Sequence, residues 1–312
     1  MDELRVLAET DGFFTRTDAL RAGYDDRSIR RTLKKRVWLR IRAGSYTFPD
    51  LWPSHEQERQ RIRGRCVMRK LGASVALSHT SAAVQHDMRL WRTDLNTIHV
   101  TRLDGGSGRT EAGVHHHEGL TQRGDLTEVD GMSAMRPARA ALEAASLAPT
   151  EAGLVILDSA LHLRLCTRDE LSTRHAMMEN WPGMQRLQIT VRMADEGGQS
   201  VGETRTRYLC HTQGLPAPET QWEVRDATGR VVGISDFAWP EHQLLGEFDG
   251  RVKYGRLLRD DEEPGDAVFR EKRREDILRE STGWRMVRLI WSDLSVPMHT
   301  AARIRQMLRA AA

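Results

Sequence analysis

Three carboxylates interrupt the most hydrophobic hairpin of the chain, within the stretch GISDFAWPEHQLLGEFDGRVKYG at residues 233–255. Asp236 lies in the first apolar run, while Glu247 and Asp249 lie in the second, across a Pro-Glu-His turn. Side chains on a strand alternate between faces, so Asp236 shares a face with Ala238, and Glu247 shares one with Asp249. We therefore expect one face of the hairpin to be a clean core and the other to carry the acids.

Pairing of the two strands about the turn brings Asp236 close to Glu247. Carboxylates at short range repel each other unless a cation lies between them, and oxygen ligands at a partly open site suit Mg²⁺ or Mn²⁺. This arrangement predicts a cation-binding edge for phosphate chemistry. The alternative is the polar outer face of an antiparallel sheet, with the acids paired to neighbouring arginines. The alternation of side chains alone does not decide between the two.

The front of the chain is basic, although the 312 residues together carry a net charge of only +3. Apolar spacing predicts three short helices, followed by a strand pattern in VWLRIRAGSYTF that turns at Gly44. This is the layout of a winged helix-turn-helix. From Arg27 to Arg42 there are eight basic residues and no acidic one, which favours contact with DNA over a merely solvated basic helix. The residues predicted to contact DNA here are Arg27, Arg30, Arg31, Lys34, Lys35, Arg40 and Arg42.

Composition limits the class of protein. A hydrophobic fraction of 39% and a charged fraction of 29% are typical of a soluble globular chain, and no apolar run approaches the ~20 residues that cross a bilayer. The three cysteines, Cys66, Cys166 and Cys210, are odd in number and far apart. They predict reduced thiols in a cytoplasmic protein that has no membrane partner.

The middle region contains several histidines, a residue type that commonly binds metal. Adjacent strand residues point to opposite faces, so His115, His116 and His117 are not expected to converge on one ion. Ordinary exposed histidines at a strand end are the favoured interpretation. His79 and His86, in LSHTSAAVQH, are seven residues apart on one side of a predicted helix, and local packing or hydrogen bonding is favoured there. The middle region is expected to be a spacer, a partner surface or part of a DNA clamp.

The last third of the chain has the element order α-β-β-β-α-β. A helix in SVGETRTRYLCHTQGLP precedes strands in QWEVRD, VVGISDFAW and QLLGEFD, and a helix in EKRREDILRESTG precedes a strand in WRMVRLIW. The whole chain is therefore predicted to be an α/β (α+β) protein. We expect three domains: a winged helix at 1–50, a mixed α/β middle domain at 51–195, and a sheet flanked by helices at 196–312.

The segments DFAWPEHQLLGEFDGRVKYG and EKRREDILRESTGWRMVRLIW resemble the PD-(D/E)xK nuclease fold. Within it they are similar to the very-short-patch-repair (Vsr-like) endonucleases, over about residues 197–294. The resemblance implies that Asp236 is the motif aspartate and Glu247 the acid of the (D/E)xK element, both holding Mg²⁺ or Mn²⁺. It also implies that Glu203, on the preceding helix, completes the site. The alternative role of Glu203 is an i,i+4 ion pair with Arg207.

The chain departs from this motif two residues after Glu247, where Asp249 replaces the expected lysine. An aspartate cannot neutralise a phosphate transition state, although it can add a metal ligand. Lys253 would then extend back into the site and take the role of the lysine that the motif expects two residues after Glu247. Arg273 and Arg274, on the following helix, are expected to hold the DNA backbone, or else to form solvated pairs with neighbouring glutamates.

The front of the chain resembles the AbiEi family of antitoxins, through RAGSYTF and ALSHTSAAVQHDM. Together the two resemblances imply a metal-dependent DNA endonuclease of prokaryotic defence or DNA repair. The alternative that they imply is a DNA-binding regulator or antitoxin, with a cognate toxin as partner and an inactive nuclease-like domain. The oligomeric state and the DNA sequence or lesion recognised are left open.

Overall fold

The computed structural model describes residues 3–250 and 277–309, and it confirms a mixed α and β architecture. The chain divides into two compact units. The first comprises Met1–Ala160 and Arg164–Arg192, and the second comprises Leu161–Leu163 and Met193–Ala312. The second unit thus begins close to residue 196, while the first contains both regions expected as separate domains at 1–50 and 51–195.

The first unit opens with three helices and a small sheet. The elements are α1 (Glu3–Asp11), β1 (Phe14–Thr15), α2 (Arg16–Arg21), α3 (Asp26–Lys34), β2 (Leu39–Arg42) and β3 (Ser45–Thr47), with strand order β1-β3-β2. Helix α3 begins at a capping box, in which the Asp25 side chain and Ser28 satisfy each other's backbone N–H. Phe14, Trp38 and Tyr46 form the aromatic core. This is the winged-helix arrangement that the sequence predicts.

The remainder of the first unit is built on a six-stranded sheet of order β6-β7-β5-β4-β9-β8. Pairs β5–β7 and β4–β9 are parallel. The elements are α4 (Glu56–Leu71), β4 (Val75–Leu77), α5 (His79–Gln85), β5 (Ile98–Arg102), β6 (Arg109–Glu111), β7 (Val114–His117), β8 (Leu126–Val129), β9 (Met132–Met135), α6 (Pro137–Leu147), α7 (Thr150–His162), α8 (Arg168–Met177) and α9 (Gln188–Met193).

The second unit has the predicted order α-β-β-β-α-β. Its elements are α10 (Val201–Thr212), β10 (Glu219–Arg225), β11 (Val231–Trp239), β12 (Leu244–Asp249), the described part of α11 (residues 277–282), β13 (Arg285–Ile290) and α12 (Pro297–Arg309). The sheet order is β10-β11-β12-β13. The first three strands pair antiparallel, and β13 runs parallel to β12.

Both faces of this sheet are covered near the hairpin turn. Phe237 and Phe248 belong to a core shared with α10 and α12. On the opposite face, Ala238 and Leu245 are fully buried against Leu278 of α11. The acid-bearing face therefore also contains a small core at this end of the hairpin, where α11 packs over it. In the part of the chain that the structure describes, no helix has the length and apolarity needed to cross a membrane.

Candidate active site and nucleic-acid interface

The structure places Asp236 and Glu247 next to each other in the hairpin. The last paired residues of β11 and β12 are Phe237 and Gly246, so Asp236 and Glu247 occupy the next position on each strand. The Asp236 Oδ2 atom accepts a hydrogen bond of 2.8 Å from the backbone N–H of Phe248. Glu247 is buried, at 4% exposure. The two acids therefore lie at neighbouring positions of the two central strands of the sheet.

Glu203 reaches the same sheet from the first turn of α10. Its Oε1 atom accepts a hydrogen bond from Ser200 Oγ at 2.6 Å, and its Oε2 atom accepts one from Gln221 Nε2 at 3.2 Å. Gln221 lies between two paired positions of β10 and β11, opposite Asp236. Gln221 thus ties Glu203 to β10, the strand that pairs with the strand of Asp236.

A glycine allows α10 to lie directly against β12. A Cβ atom at Gly202 would lie 1.9 Å from Cε1 of the Phe248 ring, a distance that no side chain tolerates. The close approach therefore fixes the first turn of α10, which also carries Glu203, against the Phe248 face of the sheet. The alternation of side chains along β12 puts Glu247 on the opposite face.

The parallel strand β13 adds a positive charge to this edge. Arg288 is the register partner of Glu247, and Ile290 is the partner of Asp249. Arg288 is exposed while Glu247 is buried. A row of polar side chains therefore crosses the four strands at this level: Gln221, Asp236, Glu247 and Arg288. Arg288 was not among the expected site residues, since the register of a parallel pair is not visible in a single strand.

The donor chemistry of these acids fits a hard divalent cation. Mg²⁺ is commonly held by one or two carboxylates, together with water and substrate phosphate oxygens. Asp236 and Glu247 meet that requirement, and Asp249 is half-buried two residues further along the strand. Among the described residues, the acids do not form a group of three with ligand atoms within 4.8 Å of one another. Lys253, Arg273 and Arg274 lie outside the described residues.

The winged helix presents a basic surface, formed chiefly by α3. Six of the predicted DNA contacts are exposed, and none has a carboxylate within 4.0 Å among the residues described here: Arg27, Arg30, Arg31, Lys34, Lys35 and Arg40. Arg42 differs from them, because its Nη2 atom donates to the Ala112 carbonyl at 3.1 Å. Its burial also lowers the pKa of the Arg42 guanidinium. The contact with Ala112 gives Arg42 an intramolecular role.

Histidines from two parallel strands form a cluster in the first unit. The side chains of His99, His115 and His117 place ligand atoms within 4.8 Å of one another. His99 Nδ1 and His117 Nε2 are 2.8 Å apart, and the rings of His115 and His117 stack with centroids 4.1 Å apart. His79, the first residue of α5, stacks on His117 at 3.6 Å. We refer to these four residues as the histidine cluster.

The histidine cluster corrects the expectation of ordinary exposed histidines. His116 is buried, and His115 and His117 are half-buried. Adjacent histidines do point to opposite faces, but His115 and His117 share a face on which His99 of β5 joins them. His99 was missed because its partner strand lies elsewhere in the sequence. The hydrogen bonding expected for His86 is confirmed, since its Nε2 atom lies 2.8 Å from the Met135 carbonyl.

Comparisons with known proteins do not assign a function. No protein-family model matches the chain. It is 29% identical over 215 residues to the uncharacterized proteins MT2308 and Rv2248 of two Mycobacterium tuberculosis strains, a match that covers 68% of this chain and 75% of each relative. The crystal structure of the RV2827C protein from M. tuberculosis matches with a TM-score of 0.38 and 16% identity, covering 60% of this chain and 76% of that one.

Proposed function

We propose that the chain is a metal-dependent DNA endonuclease whose hydrolytic site lies in the second unit. One observation carries this proposal: an α-β-β-β-α-β unit places Asp236 and Glu247 at adjacent positions of two strands. Glu203 is tied to the same sheet through Gln221. A PD-(D/E)xK site needs acids from these elements, in this order along the chain.

Each side chain has a role that follows from its contacts. The hydrogen bond from the Phe248 N–H fixes the orientation of the Asp236 carboxylate, and Glu247 is largely withdrawn from water, at 4% exposure. Arg288, next to Glu247 in the register, supplies the positive charge that a phosphodiester requires. A divalent cation bound by these acids would lower the pKa of a water molecule and stabilise negative charge on phosphate.

The test is a plasmid-nicking assay with Mg²⁺ or Mn²⁺ on the wild type, Asp236→Asn and Glu247→Gln. Both substitutions keep the size of the side chain, and the asparagine oxygen still accepts the Phe248 hydrogen bond. We expect cleavage to fall by about 100-fold or more in each variant, because the charge that holds the cation is halved. Glu223→Gln is the matched control, since Glu223 lies on β10 of the same sheet, is exposed and pairs with Arg225.

Equal cleavage by the wild type and both site variants would contradict the proposal, because it would assign the activity to a contaminant or to other residues. The second candidate function is a DNA-binding regulator of the antitoxin type. The exposed basic residues of α3 favour it, since they support DNA binding whether or not the acids are active. DNA binding by a wild type that cleaves no DNA form with any of the metals would select this candidate.

A further inference from the structure

We propose that His99, His115 and His117 bind one divalent transition metal ion of the Zn²⁺ class, within the first unit. The three side chains place ligand atoms within 4.8 Å of one another. A single cation can therefore contact all three after small side-chain rotations, because Zn–N bonds are about 2.0–2.1 Å long. This site is chemically independent of the acids of the second unit, and it does not rest on the proposed function.

The backbone fixes the positions of these ligands. Strands β5 and β7 run parallel, with His99 opposite His115 and Thr101 opposite His117. Neighbouring strands lie about 4.8 Å apart, and residues two apart on one strand share a face. His117, two residues after His115 on β7, therefore lies on the same face of the sheet as His115. Three imidazoles on two adjacent strands thus form a site on a rigid sheet and not on a loop.

The shell around these ligands is polar and ordered. The backbone N–H of His79 donates to Glu143 Oε2 at 3.1 Å, and its Nδ1 atom lies 3.0 Å from Ser78 Oγ. His79 adopts a left-handed backbone conformation, with φ of 49°, which costs free energy and persists only where its surroundings hold it. His79 in turn stacks on His117 with ring centroids 3.6 Å apart, so these contacts hold the ring that covers one of the ligands.

The ring nitrogens of His99 and His117 already face each other. His99 Nδ1 lies 2.8 Å from His117 Nε2. A neutral imidazole keeps one ring nitrogen unprotonated, so a cation between these two atoms would bind the tautomers that carry their proton on His99 Nε2 and on His117 Nδ1.

The chemistry of the ligands selects the class of ion. Imidazole nitrogens suit Zn²⁺, Co²⁺, Ni²⁺ and Cu²⁺, whereas Mg²⁺ prefers oxygen ligands. Three histidines also leave one position of a tetrahedral ion open to water or to another ligand. The partial exposure of His115 and His117 gives an ion access to the cluster.

The test is metal titration of the full-length protein, prepared without a histidine tag and freed of metal with a chelator. Co²⁺ is followed by its visible absorption and Zn²⁺ by calorimetry. We expect one ion per chain, with a Kd of about 1 μM or below, and no displacement by millimolar Mg²⁺. His99→Gln and His117→Gln should each weaken binding by about 100-fold or more, because each removes a ligand. His79→Gln should cost about 10-fold, because His79 supports the ligands.

His116→Gln is the matched control. It changes a histidine of the same strand that points to the opposite face, so metal binding should be unchanged. Circular dichroism shows which variants fold. If the substitutions at His99 and His117 unfold the protein, metal binding is measured on His115→Gln, which changes a ligand at the half-exposed edge of the cluster. Failure of the wild type to bind Co²⁺ and Zn²⁺ would overturn the proposal. So would equal metal affinity in the wild type and in every folded variant that lacks one of the three histidines.

Discussion

Arg139 shows how a single buried charge can organise its surroundings. It is 1% exposed, and its guanidinium donates to Glu143 Oε1 at 2.7 Å and to Asp125 Oδ2 at 2.6 Å. It also lies over the Trp181 ring, 4.8 Å from the centroid. A buried cation is tolerated only when its donors are satisfied. Glu143 in turn accepts a hydrogen bond from the backbone N–H of His79, so Arg139 supports the histidine cluster through Glu143.

We predict that Arg139→Met destabilises the protein by about 3–5 kcal/mol, because Asp125 and Glu143 are left buried without their shared partner. Urea-induced unfolding measures the change. Arg65→Met is the control, since Arg65 pairs with Asp130 at the surface, and its loss should cost less than about 1 kcal/mol. Similar small losses in the two variants would show that the Arg139 network does not stabilise the fold.

At the scale of elements, the packing of α10 on β12 determines where Glu203 lies. The contact depends on the absence of a side chain at Gly202, where the Phe248 ring occupies the position that a Cβ would take. Phe248 also meets Trp291 edge to face, with ring centroids 5.0 Å apart. The ring is therefore confined on two sides and cannot move without loss of packing.

We predict that Gly202→Ala destabilises the protein by about 1–3 kcal/mol, because the Phe248 ring must move. The direction of the stability change is informative. At an exposed position inside a helix, alanine in place of glycine stabilises the helix by about 1 kcal/mol, so a loss of stability here must come from packing. Thermal unfolding measures the stability, and the nicking assay should show a further loss as Glu203 moves away from the sheet. Gly124→Ala is the control, because no atom lies within 4 Å of the Cβ position there. A stabilised Gly202→Ala would refute the packing argument.

Local signals predicted much of this architecture. The hairpin of β11 and β12 was foreseeable, because its turn joins the two strands directly and alternation then assigns Asp236 and Glu247 to one edge. The parallel pairings of β5 with β7 and of β12 with β13 were not foreseeable from the sequence. The partner of His99 lies beyond β6, and the partner of Glu247 lies beyond α11. A parallel register depends on packing across the fold, so a single sequence contains no local sign of it.

At the scale of the whole molecule, the two units offer different donor chemistry. The second unit places Asp236, Glu247 and Arg288 at one level across three neighbouring strands, whereas the first groups imidazole nitrogens on β5 and β7. Hard cations select the former and borderline transition metals the latter. A chelator would remove metal from either proposed site and would not separate their effects, whereas variants in each unit would.

DNA binding is expected to depend on the exposed arginines of α3, and the salt dependence of affinity tests this directly. Each phosphate contact contributes about −0.9 to the slope of log K against log salt concentration. Arg30→Ala with Arg31→Ala should therefore make the slope shallower by about 2, and should weaken binding in low salt irrespective of DNA sequence. Arg65→Ala with Arg109→Ala removes the same charge from side chains that pair with Asp130 and Glu111, and should leave the slope unchanged. If both double variants altered the slope equally, the net charge of the protein, and not the α3 surface, would be responsible for binding.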